Sequence, residues 1–218
     1  PAHWIDASKK VAVATPTPPV TADAVGDRSR NGATAQTQIT DAVANGGVNR
    51  DSYNPNVDLD GSRIVFESDA DLLSEGRADG DTEIWLWDSS TGFTRITDAT
   101  ANGGTTRDSY LPWIDNAGTS IAFRSDADLL SEGRAAGDEE IWLWNETTGL
   151  QRITDGADPI WSPDGTQIAF VRWREPRGVW VVDVATGDEW RVFDADCWRD
   201  AGYMFSMERG GEALEIII

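Results

Sequence analysis

The sequence predicts an all-β chain, a β-propeller of about five four-stranded blades, with an incomplete or truncated six-bladed ring as the alternative. Three observations lead there. Residues 39–95 align with residues 96–152 without a gap, and 38 of the 57 positions are identical. Each copy divides into four short runs with strand-like alternation, separated by turn residues. Helical periodicity is nearly absent. Repeats of this length mark solenoids or propellers, and four strands per repeat correspond to one propeller blade.

The elements of the second copy read in order. "LPWIDNAG" is an extended run closed by an Asn-Ala-Gly turn, and "TSIAFRS" alternates polar and apolar residues. "EEIWLWN" is rich in the aromatic and aliphatic residues that suit a pleated surface, and "TTGLQRIT" adds a Thr-Gly turn and a fourth strand. A compressed third copy starts at "ITDGADPIWSPDGTQIAF" and closes at Arg191. Before the copies, "HWIDASKKVAVAT" parallels "PWIDNAGTSIAFRS"; after them, "DAGYMFSMERGGEALEIII" reads as two strands around an Arg-Gly-Gly turn. The expected blade-like units are 1–41, 42–98, 99–155, 156–194 and 195–218. The last lacks an outer strand, an open edge that another segment, a longer native chain or a partner chain is expected to cover.

The stretch "DPIWSPDGTQIAFVR…VWVVDVATGDEWRV" resembles the TolB-like, WD-type β-propeller repeat. The W-S-P-D-G turn of that repeat is matched by Trp161, Ser162, Pro163, Asp164 and Gly165, while "VDLDG" and "IDNAG" keep part of it. The resemblance implies the fold. It does not fix the function, because propellers serve as scaffolds, receptors and enzyme lids alike.

Net charge is -20, with 38 acidic residues against 18 basic ones, only two of them lysines. Such a surface repels phosphate backbones and anionic membranes, and no apolar run reaches the roughly 20 residues of a membrane span. Acidity, the start without Met and the resemblance together lead to an expected extracellular, periplasmic or cell-surface location. The one histidine, His3, and the one cysteine, Cys197, supply neither a catalytic triad nor a zinc set nor an internal disulfide. No phosphate-binding glycine motif occurs. Carboxylates are plentiful, so a glycosidase pair stays open, with no pair singled out.

The repeated segment Ser68–Trp87, which returns as Ser125–Trp144, carries the main candidate site. Asp69, Asp71, Asp79, Asp81 and Glu83, and in the second copy Asp126, Asp128, Asp138 and Glu140, offer the hard oxygen ligands that calcium takes. The spacing departs from the EF-hand loop. The structural alternative is a short helical turn capped by Ser68 and Asp71, or Ser125 and Asp128, and closed by Gly76 or Gly133. Leu72 and Leu73 would then plug a gap between blades. Both readings stand at this point.

Asp51 and Asp108 next to arginines, with Tyr53 and Tyr110, are expected to lock and cap neighbouring blades. Trp85/Trp87 and Trp142/Trp144 put paired rings on one strand face, with inter-blade packing expected and a sugar platform as the alternative. "VRWREPRGVW", with Arg172, Trp173, Arg174, Arg177 and Trp180, is the one basic island and a candidate partner-binding knob. The expected function is a non-catalytic interaction or assembly module, stabilised by calcium if the loops bind it. The alternatives are a carbohydrate-binding or carbohydrate-active propeller, or the propeller part of a larger enzyme.

Overall fold

The computed structural model describes residues 37–40, 51–75, 80–98, 108–132, 138–194, 206–207 and 214–215. Residues 1–40 form one compact unit and residues 41–218 another. In the first, residues 37–40 are described, and the Gln38 amide donates to the Thr40 carbonyl at 2.7 Å. The expected units 1–41 and 195–218 lie mostly outside the described residues, as do His3, Cys197, Gly76 and Gly133.

The second unit holds three four-stranded antiparallel sheets and a two-stranded hairpin. The first blade is β1 (Ser52–Val57), β2 (Arg63–Ser68), β3 (Glu83–Asp88) and β4 (Gly92–Arg95). The second is β5 (Ser109–Ile114), β6 (Ser120–Ser125), β7 (Glu140–Asn145) and β8 (Gly149–Asp155). The third is β9 (Ala157–Trp161), β10 (Gln167–Arg172), β11 (Gly178–Asp183) and β12 (Glu189–Asp194), followed by the hairpin β13 (Ser206–Met207) and β14 (Leu214–Glu215). Within each blade the strands pair in chain order. Successive meanders of this kind, stacked face on face, make a partial propeller.

Turn chemistry fixes the meander. Between the third and fourth strands a side-chain oxygen accepts two following backbone N–H groups: Asp88 from Ser90 and Thr91, Asn145 from Thr147 and Thr148, Asp183 from Ala185 and Thr186. This Asx pattern pre-forms the turn before a glycine with positive φ takes the chain back. Between the first and second strands Gly61, Gly118 and Gly165 all sit near φ +75°, at 78°, 76° and 71°. A side chain there is strained, so the W-S-P-D-G motif ends on glycine for a backbone reason.

Period-two alternation sends each blade's two faces to different neighbours. Val65, Ile84 and Leu86 of the first blade meet Ile121, Phe123 and Trp142 of the second. The opposite face of the second, Ala122, Ile141 and Leu143, meets Ile168, Phe170 and Val182 of the third. Phe123 and Trp142 are fully buried, which for a side chain of this size contributes about 1.5–3 kcal/mol each. Trp85 is also buried, while Trp87 and Trp144 are half-buried, so the paired tryptophans pack rather than form a platform.

One feature of the first strands repeats three times. Asn54, Leu111 and Asp158 have φ of 48°, 50° and 54°, and each precedes a proline. The register with the neighbouring strand slips at the same place in all three blades. Proline donates no N–H to the ladder, so a bulge is where a strand tolerates it.

Candidate functional site

In the first blade the acidic loop leaves β2 at Ser68, whose buried hydroxyl donates to the Asp51 carbonyl at 2.7 Å and accepts the Ala70 N–H at 3.1 Å. Asp69 accepts the Asp51 N–H at 2.8 Å, tying the loop to the entry of β1. Asp71 accepts the Glu75 N–H at 2.9 Å. The expected helical turn is corrected here: residues 72–73 form a single tight turn, and the chain reverses through Ser74 at φ 55°. Asp71 satisfies the N–H four residues on, so a turn is closed without the successive backbone bonds of a helix. The second copy repeats it, with Glu132 N–H on Asp128 at 2.9 Å and Ser131 at φ 55°. The leucines divide. Leu129 packs against the core between the first two blades, but Leu73 and Leu130 are 44% and 43% exposed, so the expected plug is half right.

Four candidate ligands of the first copy, Asp69, Asp71, Asp81 and Glu83, line one small open depression, with Gly80, Trp85 and Arg95. Asp79 lies outside the described residues. Asp81 and Glu83 are buried, and Glu83 accepts the Thr97 hydroxyl at 2.5 Å. Arg95 pairs with Glu75 at 2.7 Å and Asp98 at 3.0 Å, which sets a permanent cation on the wall of the same depression. Among the described residues no three Asp, Glu, His or Cys side chains converge as a metal-ligating group.

The second copy differs at Asp138 and Glu140. Asp138, equivalent to Asp81, takes the guanidinium of Arg174 from the β10–β11 hairpin of the next blade, a bond that raises the Arg174 pKa. Glu140, equivalent to Glu83, faces Arg152 at 3.5 Å, and Arg152 also reaches Asp155 at 3.5 Å. Asp126 accepts the Asp108 N–H at 3.2 Å.

The basic island is therefore partly spent inside the chain. Arg172 lies 4.4 Å over the Trp180 ring, donates to Thr154 at 2.7 Å and pairs with Glu189 at 2.8 Å. Trp180 donates its indole N–H to the Pro176 carbonyl at 3.1 Å. Arg177 pairs with Glu175 at 3.5 Å and stays 60% exposed at its side chain. Trp173 is 51% exposed.

Several residues passed over in the sequence join the blades. Buried Glu67 accepts the Leu111 N–H from the second blade at 2.8 Å and the Asn54 amide at 2.8 Å. Arg63 donates to the Gly118 carbonyl at 2.7 Å while pairing with Asp88 at 2.8 Å and Glu146 at 2.7 Å. Arg124 reaches Glu139 at 3.1 Å and Asp158 of the third blade at 3.8 Å, and lies over the Tyr110 ring at 5.2 Å. Asp108 accepts the Thr82 N–H at 2.8 Å, so the expected lock is made through a backbone amide of the first blade; Arg50 and Arg107 lie outside the described residues. Tyr110 donates to Asp108 at 2.6 Å, and burial together with that carboxylate pushes its hydroxyl pKa up. The x-Pro pairs at 54–55 and 111–112 were the available signal for these contacts, because they mark the bulge where Glu67 and Asn54 meet Leu111.

The chemistry this arrangement supports is cohesion: carboxylates accept backbone N–H groups across blade boundaries, and guanidinium groups bridge carboxylates. Where Glu139 and Asp158 approach from different blades, Arg124 sits between them.

No protein-family model matches the chain, and the search of curated proteins gives no match. Among solved structures the chain is similar to TolB from Acinetobacter baumannii, at 21% identity over 65% of this chain and 32% of that one, with a TM-score of 0.46. It is similar to a protein assigned as TolB from Agrobacterium tumefaciens, at 24% identity over 66% of this chain and 50% of that one, TM-score 0.45. The β-propeller domain of the Trilobed protease from Pyrococcus furiosus gives 16% identity, 65% and 42% coverage and a TM-score of 0.43. The chain thus spans about a third and a half of the two TolB structures. These are likenesses, and the fold itself rests on the three repeated sheets and the cores between them.

Proposed function

We propose that this chain is a non-catalytic propeller module that works by binding another protein or a subunit of a larger assembly, in an extracellular, periplasmic or cell-surface setting. One observation carries the reading. Several charged groups of the repeat hold blades together, as Glu67, Arg63, Arg124 and Arg174 do, while apolar side chains at the loop ends face water. A catalytic centre needs titratable groups poised toward substrate; a recognition surface needs exposed apolar anchors on a rigid frame. No helix among the described residues is long and apolar enough to cross a membrane.

The test combines two measurements on the full chain. Incubation with oligosaccharide, peptide and ester substrates is expected to give no turnover above buffer, and cross-linking in material from the natural source is expected to give one stoichiometric partner. Saturable hydrolysis of any substrate, or no partner at all, would sink the reading.

A calcium-stabilised form is a second reading, favoured by the depression that Asp69, Asp71, Asp81 and Glu83 share. Carboxylate oxygens are the ligands calcium takes; against it, the four do not converge as a ligand group and Arg95 places a cation on the same wall. Thermal unfolding with calcium and with chelator separates the two: a midpoint that rises with calcium supports a metal site, and coincident curves remove it.

A further inference from the structure

We infer that the end of the propeller carrying the β2–β3, β6–β7 and β10–β11 connections is the docking face, and that its partner is a basic protein surface. This rests on the interaction reading above and names its face and chemistry. These three connections emerge from the same end of successive blades, because strand order and pairing repeat from sheet to sheet. Each carries an exposed apolar side chain: Leu73 at 44%, Leu130 at 43% and Trp173 at 51%. Leu73 and Leu130 occupy equivalent positions one repeat apart, so the row has the period of the blades.

Leu130 turns outward although the adjacent Leu129 packs against the core, and Leu73 is exposed at the equivalent position one repeat earlier. Exposed apolar groups set one per connection and rimmed by charge are the composition of an interface. Around the two leucines the rim is mainly acidic: Glu75, Glu132, Asp138 and Glu139 are exposed there, Glu75 paired with Arg95, while Arg174 and Arg177 add cations only beside Trp173, and the chain as a whole carries -20. A cationic partner is attracted and an acidic one repelled by that field, which selects the partner's sign. The chain itself supplies an example of the contact. Asp138 of this same loop set holds the guanidinium of Arg174, next to exposed Trp173. A partner presenting arginines between apolar residues would repeat that pairing along the row.

The test uses the full chain and two labelled probes, a short peptide alternating Arg and Leu and its Glu-for-Arg counterpart, read by fluorescence anisotropy. The Arg–Leu peptide is expected to bind and to weaken as salt screens the rim, and the Glu–Leu peptide not to bind. In the double variant Leu73→Ser/Leu130→Ser the affinity is expected to fall by about tenfold or more, and Trp173→Ala to fall by a similar order. Trp190→Ser on the outer strand β12, also exposed, is the control expected to leave binding unchanged. Unfolding curves show that each variant folds. Parent-like binding in Leu73→Ser/Leu130→Ser, equal loss in Trp190→Ser, or equal binding of both peptides overturns the proposal. Cross-linking of the same double variant in natural extract keeps the two levels apart. A partner retained there means the face is wrong and the interaction reading stands; no partner even for the parent chain means the reading itself fails.

Discussion

The two blade junctions occupy equivalent places and use opposite charges. At the first, position 67 is a buried glutamate that accepts the Leu111 N–H; one repeat later, position 124 is an arginine that reaches the Asp158 carboxylate. The bulge residue changes with it, from Leu111, which offers only its backbone, to Asp158, which offers a carboxylate. The same coupling recurs on the far end of the sheet. Arg63 pairs with Asp88 in the first blade, and their equivalents Ser120 and Asn145 form a neutral hydrogen bond of 2.9 Å in the second. At these two places the repeat preserves backbone geometry and a polar contact, while the identity of donor and acceptor changes as a pair.

Breaking the pairing on one side only gives the largest effect. Glu67→Arg places a cation beside the Leu111 N–H and the Asn54 amide, two donors, and is expected to cost about 3–5 kcal/mol, read as the shift in urea midpoint at constant slope. Glu67→Ala leaves the same N–H without its acceptor and is expected to cost about 1–3 kcal/mol. Arg124→Ala should cost less, about 0.5–1 kcal/mol, because that guanidinium is partly solvated and its pair across the blade boundary, at 3.8 Å, is long. A cost above that of Glu67→Ala would reverse the ranking of the two junctions. Leu111→Asn copies the residue of the first blade into the left-handed bulge position and is expected to raise stability by about 0.5 kcal/mol, since asparagine visits that region more readily than leucine.

Acid dependence separates the charged corner from the neutral one. Burial pushes the Asp88 carboxyl up, but the Ser90 hydroxyl and amide and the Arg63 guanidinium outweigh it and hold the group well below its ordinary 3.8. A carboxyl depressed in the folded state contributes stability that is present above 3.8 and is lost as pH falls through the folded value. Asp88→Asn makes the first blade like the second, and its stability is expected to fall less steeply than the parent's below about pH 4. Parallel acid curves for the two proteins would place the acid sensitivity elsewhere.

The strands and turns were legible in the sequence because they depend on local chemistry: alternation in "EIWLW", Asx and glycine at each reversal, and the match of one copy to the next. The acidic loop was legible as a turn but not as the kind of turn. Ser68, Asp71 and Gly76 suggest a capped helix, and only the contact from Asp71 back to Glu75 N–H, with Ser74 in the left-handed region, shows that one tight turn suffices. The internal contacts of the basic island are hidden from the sequence for a different reason. Arg172 is covered by Glu189 and Thr154, and Arg174, though still exposed, pairs with Asp138; these partners are brought beside them by segments distant in the chain. Glu67 was passed over because a single acid in a strand carries no local signal; its partner, Leu111, is 44 residues away.

Native mass spectrometry of the protein isolated from its natural source, run with and without a calcium chelator, tests the functional account most directly. The account predicts a particle heavier than the polypeptide by a whole partner subunit, unchanged by chelator and dissociated by raised salt. A bare polypeptide, or one that gains only calcium ions lost on chelation, would contradict it and make the twin acidic loops metal sites first.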